Sequence, residues 1–391
     1  MKRSLWLVVA LAAVLGSPTG SAGAATAAQD LGYDSVSAVH LRLLVGSEAA
    51  AGRGRPSARA RSALGFAEAL VLATPSKSAR WSLFFRTVAL GGSGPAAWVG
   101  DLAGTSGNEA PDGVHVQDLA VEWRARPGVS LLAGLYDLNL EFDVTEAAAG
   151  FLHASFGMGA EFAAAGVQGP STYPYTAPVL RISVSDARGR YLLAAASDAV
   201  PGRPGDPSRE RWRPGGDGVL FTAEGGRHWS VDPDWMPGRV AVEQVSVGVW
   251  ASTRADSLTG DPVHPLGGYV ILGLRVGAGE AFARIGAARE HGAPLHRSVN
   301  VGAAGPLFRR LGPAETWGLG LTWAATSSHW RRMGQGAPAG EAVVEGYLGI
   351  PVGARGWLQP TLQWVLNPAA APERNGALQL TLRAQWVGWL R

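Results

Sequence analysis

Apolar and polar residues alternate with a period of two along much of this chain, and this alternation constrains its fold more than any other feature. In residues 179–185, Leu180, Ile182 and Val184 share one face and are interleaved with Arg181 and serines. Similar segments of about nine to twelve residues recur between Gly, Pro, Asp and Asn, close to the length of a tilted membrane-spanning strand. Because side chains alternate across a β-strand, the pattern predicts an all-β protein.

Composition further narrows the classes of protein to which this chain can belong. No segment after the first thirty residues offers 18 consecutive apolar residues, so no transmembrane helix is predicted. The chain has no Cys, which excludes disulfides, Cys-ligated metals and a Cys nucleophile. With 47% hydrophobic residues it is not a disordered chain. Its net charge of +3 gives no support to nucleic-acid binding, which needs a concentrated basic face.

The N-terminus has the pattern of a secretory signal peptide. Lys2 and Arg3 precede an apolar stretch from Leu5 to Leu15, and small residues around Ala22-Gly23-Ala24 form a cleavage site. We therefore predict a signal peptide over residues 1–24 and one mature domain over residues 25–391. The apolar stretch is too short to span a bilayer as a helix.

The mature chain is predicted to form a transmembrane antiparallel β-barrel of about 16 strands, which fits the even strand number of bacterial single-chain barrels. Closure of the sheet into a barrel leaves no strand edge with unpaired backbone N–H and C=O groups, which are costly in a membrane. The predicted strands lie near 36–46, 60–74, 79–91, 115–127, 130–139, 176–186, 190–198, 218–229, 238–254, 267–279, 280–292, 298–310, 316–328, 340–353, 356–368 and 376–390.

The two faces of these strands differ in a way that favours a membrane barrel over a soluble sandwich. The polar face carries Arg and Glu in mid-strand, which suits a water-filled lumen, while the apolar face suits lipid. Tryptophans near strand ends are expected to form an aromatic girdle at the membrane surface. These are Trp81, Trp123, Trp229, Trp250, Trp317, Trp357 and Trp389.

A series of short motifs follows in a recognisable order. They are Gly134-Leu-Tyr-Asp137 with Phe142, Phe151-Leu-His-Ala-Ser-Phe-Gly157, Tyr173-Pro174, Ala177-Pro178, Gly215 to Glu224, Pro265-Leu-Gly-Gly-Tyr269, Glu341-Ala-Val-Val-Glu345-Gly-Tyr347, Leu358-Gln-Pro-Thr-Leu-Gln-Trp364, Asn367-Pro368 and Leu382-Arg383. Over residues 110–390 this order and spacing resemble the carbohydrate-selective porin family of the OprB type. His153 and Thr361 depart from the family's Asn and Asp, which leaves the preferred sugar open.

The resemblance implies an outer-membrane porin through which small carbohydrates diffuse passively. It also implies that the long segment before Thr176 folds into the barrel as a constriction loop. Outer-membrane lipid and permeating sugars are the expected partners, and a homo-oligomer is left open. We expect no catalytic residue, cofactor or metal site.

Candidate pore residues are the charged and aromatic side chains of the polar face and of the constriction loop. Selectivity in pores comes from such groups, although a lumen Arg–Glu pair can equally brace the wall. The candidates are Arg86, Asp118, Glu122, Arg124, Tyr136, Asp137, Glu141, Asp143, Tyr173, Arg181, Glu224, Arg275, Glu341, Glu345, Tyr347 and Arg383.

Three other functions remain open from the sequence. A plugged structural or adhesive barrel would share the strand pattern. An outer-membrane hydrolase would use His153 and Ser155, whose spacing places them on one face of a strand. A soluble β-sandwich such as a lectin would also show alternation.

Overall fold

The computed structural model describes residues 38–53, 59–75, 79–166, 168–202, 216–229, 240–255, 263–290, 293–307, 315–333, 340–370 and 376–390. These residues form a closed barrel of antiparallel strands in which each strand pairs with the next along the chain and the last pairs with the first. The predicted signal peptide lies outside the described residues. Within the described ranges, no helix combines the length and apolar character needed to cross a membrane.

Sixteen strands build the wall. They are β1 Ala38–Arg53, β2 Arg59–Thr74, β3 Trp81–Ser93, β4 Gly113–Arg126, β5 Val129–Tyr136, β6 Ala177–Ser185, β7 Arg190–Asp198, β8 Val219–His228, β9 Val240–Ser252, β10 Leu266–Val276, β11 Gly279–Ala288, β12 Leu295–Pro306, β13 Thr316–Thr326, β14 Gly340–Val352, β15 Gly356–Leu366 and β16 Ala377–Leu390. All sixteen predicted strands are present, so the predicted fold class is confirmed.

Short helices lie in the connections between strands. They are α1 Ala96–Val99, α2 Ala154–Gly157, α3 Ala160–Ala163 and α4 Ser328–Met333, together with 3₁₀ turns at Leu138–Leu140, Glu146–Ala148 and Pro368–Ala370.

The strands face lipid and lumen as their alternation predicts. Leu180 and Ile182 of β6 are 51% and 41% exposed on the outside of the barrel, whereas Arg181 between them is 4% exposed and points inward. The same contrast holds in β15 for Leu362 and Gln363. An outer surface rich in exposed large apolar residues is unstable in water but matches a bilayer.

The two ends of the barrel differ in the length of their connections. At one end, called here the short-turn end, β4–β5 and β10–β11 are joined by residues 127–128 and 277–278. Gly128 and Gly277 have φ values of 73° and 60°, a region that glycine enters without a Cβ clash. Residues 94–112 and 137–176 are connections at the other end, the long-loop end.

Both of these long connections fold into the barrel. Residues 137–176, called the constriction segment, bury Phe142 and Phe162 against the wall residues Trp250 and Ile271. Residues 94–112, called the second inward segment, place Val99 against the wall residue Val343. Burial of each large apolar side chain contributes roughly 1.5–3 kcal/mol, so both segments are held by packing as well as by polar contacts.

The girdle expectation is met in part. Trp81 and Trp123 are exposed on the outside near the short-turn end and pair across β3 and β4. The assignment of Trp250 to the girdle is wrong: it is 2% exposed and stacks on Phe162 inside the barrel, with ring centroids 6.0 Å apart. Trp250 lies near the end of β9, but its side chain points into the barrel, where the constriction segment covers it.

Candidate functional site

Two wall carboxylates hold the constriction segment by its backbone. Glu345 of β14 accepts hydrogen bonds from the backbone N–H groups of Leu152 at 2.6 Å and His153 at 2.9 Å. Glu224 of β8 accepts one from the N–H of Asp143 at 2.8 Å. Hydrogen bonds from N–H groups to a charged acceptor are stronger than neutral ones. Inward-facing carboxylates thus bind the segment to opposite parts of the wall.

Glu224 is also held by two wall tyrosines. The hydroxyl groups of Tyr191 and Tyr269 each donate to its carboxylate at 2.6 Å. With the N–H of Asp143, this gives the buried carboxylate three donors, which compensates for its loss of water.

A buried charge cluster lies where the constriction segment meets β11 and β12. Arg284 of β11 places Nη1 3.3 Å from the carboxylate of Asp143, and it donates to the backbone carbonyl of Ser155. Ser298 of β12 donates to Glu161. Gly286 lies directly beneath Glu161 and leaves no room for a Cβ. The segment and the wall are therefore fitted to each other at this point.

Burial dominates the protonation of this cluster. It raises the pKa of Asp143 to about 8, with Glu161 and Glu224 adding to the effect and Arg284 opposing it. Burial also raises the pKa of Glu161, against the charge of Arg284 and the hydrogen bond from Ser298. Burial of this cluster therefore favours the protonated form of Asp143 more than water would.

The second inward segment is held in the same way. Glu341 of β14 accepts from the N–H groups of Leu102 at 3.0 Å and Ala103 at 3.3 Å. Glu48 of β1 accepts from Ser106 at 2.7 Å and is paired with Arg383 of β16 at 2.8 Å. Each inward segment thus has its own wall carboxylates.

The two inward segments also contact each other. His153 Nε2 lies 3.5 Å from the Asp101 carboxylate, and the Tyr173 hydroxyl donates to the Asn108 carbonyl at 3.0 Å. Burial alone would lower the pKa of His153, but the adjacent Asp101 carboxylate and the charges of Glu345 and Glu341 raise it above its usual value. The contact joins the two segments into one body across the lumen.

The geometry of His153 and Ser155 differs from that of a hydrolase. His153 Nδ1 accepts from the backbone N–H of Ser155 at 3.3 Å rather than from its hydroxyl. Among the described residues the Ser155 hydroxyl has no hydrogen-bond partner. A serine nucleophile needs its hydroxyl bonded to the base, and that contact is missing here.

Arg86 organises another part of the wall. Its guanidinium lies 2.5 Å from Asp118 and 2.9 Å from Asp137, and Glu68 of β2 lies 3.8 Å away. Asp118 also accepts from the N–H of Asp137 at 2.7 Å. Because Asp137 starts the constriction segment, this cluster fixes the point where the chain leaves β5 and turns inward.

Two other arginines are each bracketed by two carboxylates. Arg181 of β6 lies 3.0 Å from Glu122 and 2.8 Å from Glu141. Arg275 of β10 lies 2.8 Å from Glu243 and 2.9 Å from Glu280. The carboxylate side chains are partly exposed, so these clusters border water inside the barrel.

The predicted pore residues fall into two groups. The buried members are committed to contacts within the protein, and they are Arg86, Asp118, Tyr136, Asp137, Asp143, Arg181, Glu224, Glu341, Glu345, Tyr347 and Arg383. The partly exposed members are Glu122, Arg124, Glu141, Tyr173 and Arg275. Most buried members therefore brace the wall or the inward segments, and solute contact stays a prediction for the partly exposed group.

Sequence reasoning missed several residues that matter here. Glu48, Glu68 and Arg284 are inward-facing charges in mid-strand, the same signal that identified Arg181. Asp101 and Glu161 lie in connections, where no periodicity indicates which way a side chain points. In the described ranges, no three His, Asp or Glu residues are grouped as metal ligands.

Taken together, a closed barrel with a lipid-facing apolar surface, a polar interior and a long inward connection defines a multi-pass β-barrel of the outer-membrane porin type. No family model and no curated protein matches the sequence. Solved structures do match. The high-pH structure of OprB from Pseudomonas putida superposes with a TM-score of 0.75 at 12% identity, covering 93% of this chain and 96% of that one.

Two further structures have lower scores. The low-pH structure of the same OprB gives a TM-score of 0.56 at 11% identity over 94% of this chain and all (100%) of that one. An anion-selective porin from Comamonas acidovorans superposes with a TM-score of 0.55 at 11% identity, covering 90% of this chain and 99% of that one. At these identities the likeness establishes the fold, and at that level it confirms the predicted resemblance to OprB-type porins.

Proposed function

We propose that this protein is an outer-membrane porin that lets small sugars diffuse passively through its lumen. The observation that carries the proposal is the constriction segment, held across the interior by Glu224, Glu345 and Arg284. A loop fixed in this way narrows a wide barrel without a moving gate. The bordering Arg and Glu side chains offer donors and acceptors that suit sugar hydroxyl groups.

The partly exposed residues around the segment are the proposed solute contacts. Glu122, Glu141 and Arg275 border water, and Tyr173 lies partly exposed between the two inward segments. A tyrosine ring can stack on the face of a sugar, while the charged groups bond its hydroxyls weakly enough for release. In this proposal no residue carries out a catalytic step.

Liposome swelling tests the proposal. Purified protein in liposomes should give swelling with glucose that falls steeply from mono- to di- and trisaccharides, because the inward segments narrow the lumen. Swelling that is absent for every sugar would reject the proposal.

A second candidate is a barrel whose lumen is closed by the two inward segments. It is favoured by the direct contact of these segments through Asp101 and His153, and by the burial of most charges around them. Planar bilayers separate the candidates, because a closed barrel gives no single-channel steps and a porin gives regular ones.

A further inference from the structure

The partly exposed charges of the lumen are not evenly balanced. Five carboxylates lie on the wall of β4 to β11 and on the part of the constriction segment beside it. This acidic wall consists of Glu122, Glu141, Glu146, Glu243 and Glu280.

The guanidiniums of the same region are fewer. Arg181 and Arg275 each form ion pairs with two of these carboxylates. Arg124 donates to the Ala79 carbonyl and the Ser82 hydroxyl at the edge of the same region. Across the lumen, Arg42 and Glu68 form a pair at 2.6 Å. Among the described side chains that make these contacts, carboxylates thus outnumber guanidiniums by five to three.

Strand register places the acidic wall toward the short-turn end. Glu122 and Arg181 flank Leu132 on either side of β5. Arg275 and Glu280 are directly paired across the short β10–β11 turn. In outer-membrane barrels the short turns are periplasmic. A solute leaving the constriction on this side therefore passes the acidic wall.

Glu146 completes this surface from the constriction segment. It is exposed, and its charge acts on both Glu280 and His228 of the facing wall. The turn that carries it packs Ala147 and Ala148 against Phe282 of β11. Like charges held at such a position can only be tolerated where water or a mobile cation screens them.

We infer that the acidic wall makes this pore cation-preferring, so that among sugars it favours neutral and amino sugars and discriminates against sugar acids. The inference rests on the proposed function and specifies its solute class. One unit of negative charge about 8 Å from a passing ion, screened by salt with a Debye length of about 10 Å, raises the local concentration of cations roughly 1.5-fold and lowers that of anions by the same factor. The two excess carboxylates together therefore give a permeability ratio of K⁺ to Cl⁻ of roughly fivefold.

Reversal potentials in planar bilayers test this directly. A gradient of KCl at low ionic strength should give a K⁺ preference of roughly fivefold. Gradients of glucosamine hydrochloride and potassium gluconate should show that glucosamine permeates more readily than gluconate. Liposome swelling with glucose, measured on the same preparation, reports whether the pore passes sugar at all.

Variants locate the source of the preference. Glu146→Gln removes one exposed carboxylate from a turn and should lower the K⁺ preference by about half. The triple variant Glu146→Gln, Glu243→Gln and Glu280→Gln leaves Arg275 unpaired and should bring the ratio to one or below. Asp186→Asn is the matched control, because Asp186 is exposed in a turn at the same end and pairs with Arg190 outside the lumen.

The outcomes separate the two proposals. Glucose swelling with equal or Cl⁻-favouring permeability, or a preference that Glu146→Gln and the triple variant leave unchanged, overturns the inference while the porin stands. A K⁺ preference that shifts in these variants but not in Asp186→Asn, without any sugar flux, supports the cation preference of the acidic wall and overturns both the proposed sugar passage and the preference among sugars.

Discussion

The guanidinium of Arg284 in β11 lies 3.3 Å from the carboxylate of Asp143, a residue of the constriction segment 141 positions earlier in the chain. It also donates to the backbone carbonyls of Asp143 and Ser155. One wall side chain thus bonds two separate turns of the segment. The segment is held in the lumen by side chains that the strand alternation points inward.

Replacing Arg284 by Met should release this part of the segment. The change leaves Asp143 and Glu161 buried without their cation, and breaking a buried pair from one side costs about 3–5 kcal/mol. Single-channel recordings of Arg284→Met should show larger and noisier conductance. Arg284→Lys keeps the charge and serves as control; an unaltered conductance in Arg284→Met would contradict the assigned role.

Glu345→Ala and Glu341→Ala form a matched pair, since the two carboxylates lie on one strand and hold different segments. Glu345→Ala removes the acceptor for Leu152 and His153, and each buried N–H left unpaired costs about 1–3 kcal/mol. Hydrogen exchange should then increase in the constriction segment for Glu345→Ala and around Leu102 for Glu341→Ala. Identical hydrogen-exchange patterns in the two variants would contradict the assignment of Glu345 to the constriction segment and of Glu341 to the second inward segment.

Stability of the segment should fall as the pH rises. The pKa of Asp143 is raised to about 8 from an ordinary value near 3.9, so the protonated form is favoured in the folded state. Its contribution is full below about pH 4 and is lost as the pH passes through about 8. The raised pKa values of Glu161 and His153 act in the same direction.

Asp143→Asn isolates this effect, because asparagine does not ionise. Urea unfolding in detergent should show a smaller decline between pH 5 and 9 for Asp143→Asn than for the natural protein, by at most about 1.4 kcal/mol per pH unit. If both proteins decline equally, Asp143 is not the titrating group.

Arg181→Ala and Arg275→Ala should both increase the preference for cations. Each change frees two carboxylates that the arginine had balanced. Reversal potentials in a KCl gradient measure the effect, and Arg190→Ala in the outer turn is the control for loss of a positive charge. A shift toward anions in either lumen variant would mean that its carboxylates do not face the conducting path.

The wall of the barrel followed from sequence because strand alternation is a local property. Leu180, Arg181 and Ile182 occupy the predicted faces, and the predicted strand 356–368 corresponds to Gly356–Leu366. The short turn at Gly128 falls in the gap between the predicted strands 115–127 and 130–139. These features need no knowledge of which distant residues meet.

The arrangement of the two inward segments inside the barrel was harder to predict from the sequence, because it depends on contacts between distant parts of the chain. Glu345 was identified as an inward charge, but its bonds to Leu152 and His153 join residues almost 200 positions apart. The second inward segment was missed altogether. One usable signal was present: Phe151, Leu152 and Phe156 are large apolar residues in a long connection, which is unusual unless that connection is buried.

Cysteine labelling along β15 reports which side chains of the strand face lipid and which face the lumen, and it needs no prior substitution because the chain contains no natural Cys. Single cysteines at Thr361, Leu362, Gln363 and Trp364 would be placed in protein reconstituted into vesicles, with nitroxide on lipid chains as quencher of an attached fluorophore. Strong lipid quenching is expected at 362 and 364, which face outward, and weak quenching at 361 and 363, which face the lumen. Uniform quenching, or the opposite alternation, would contradict this assignment of the two faces.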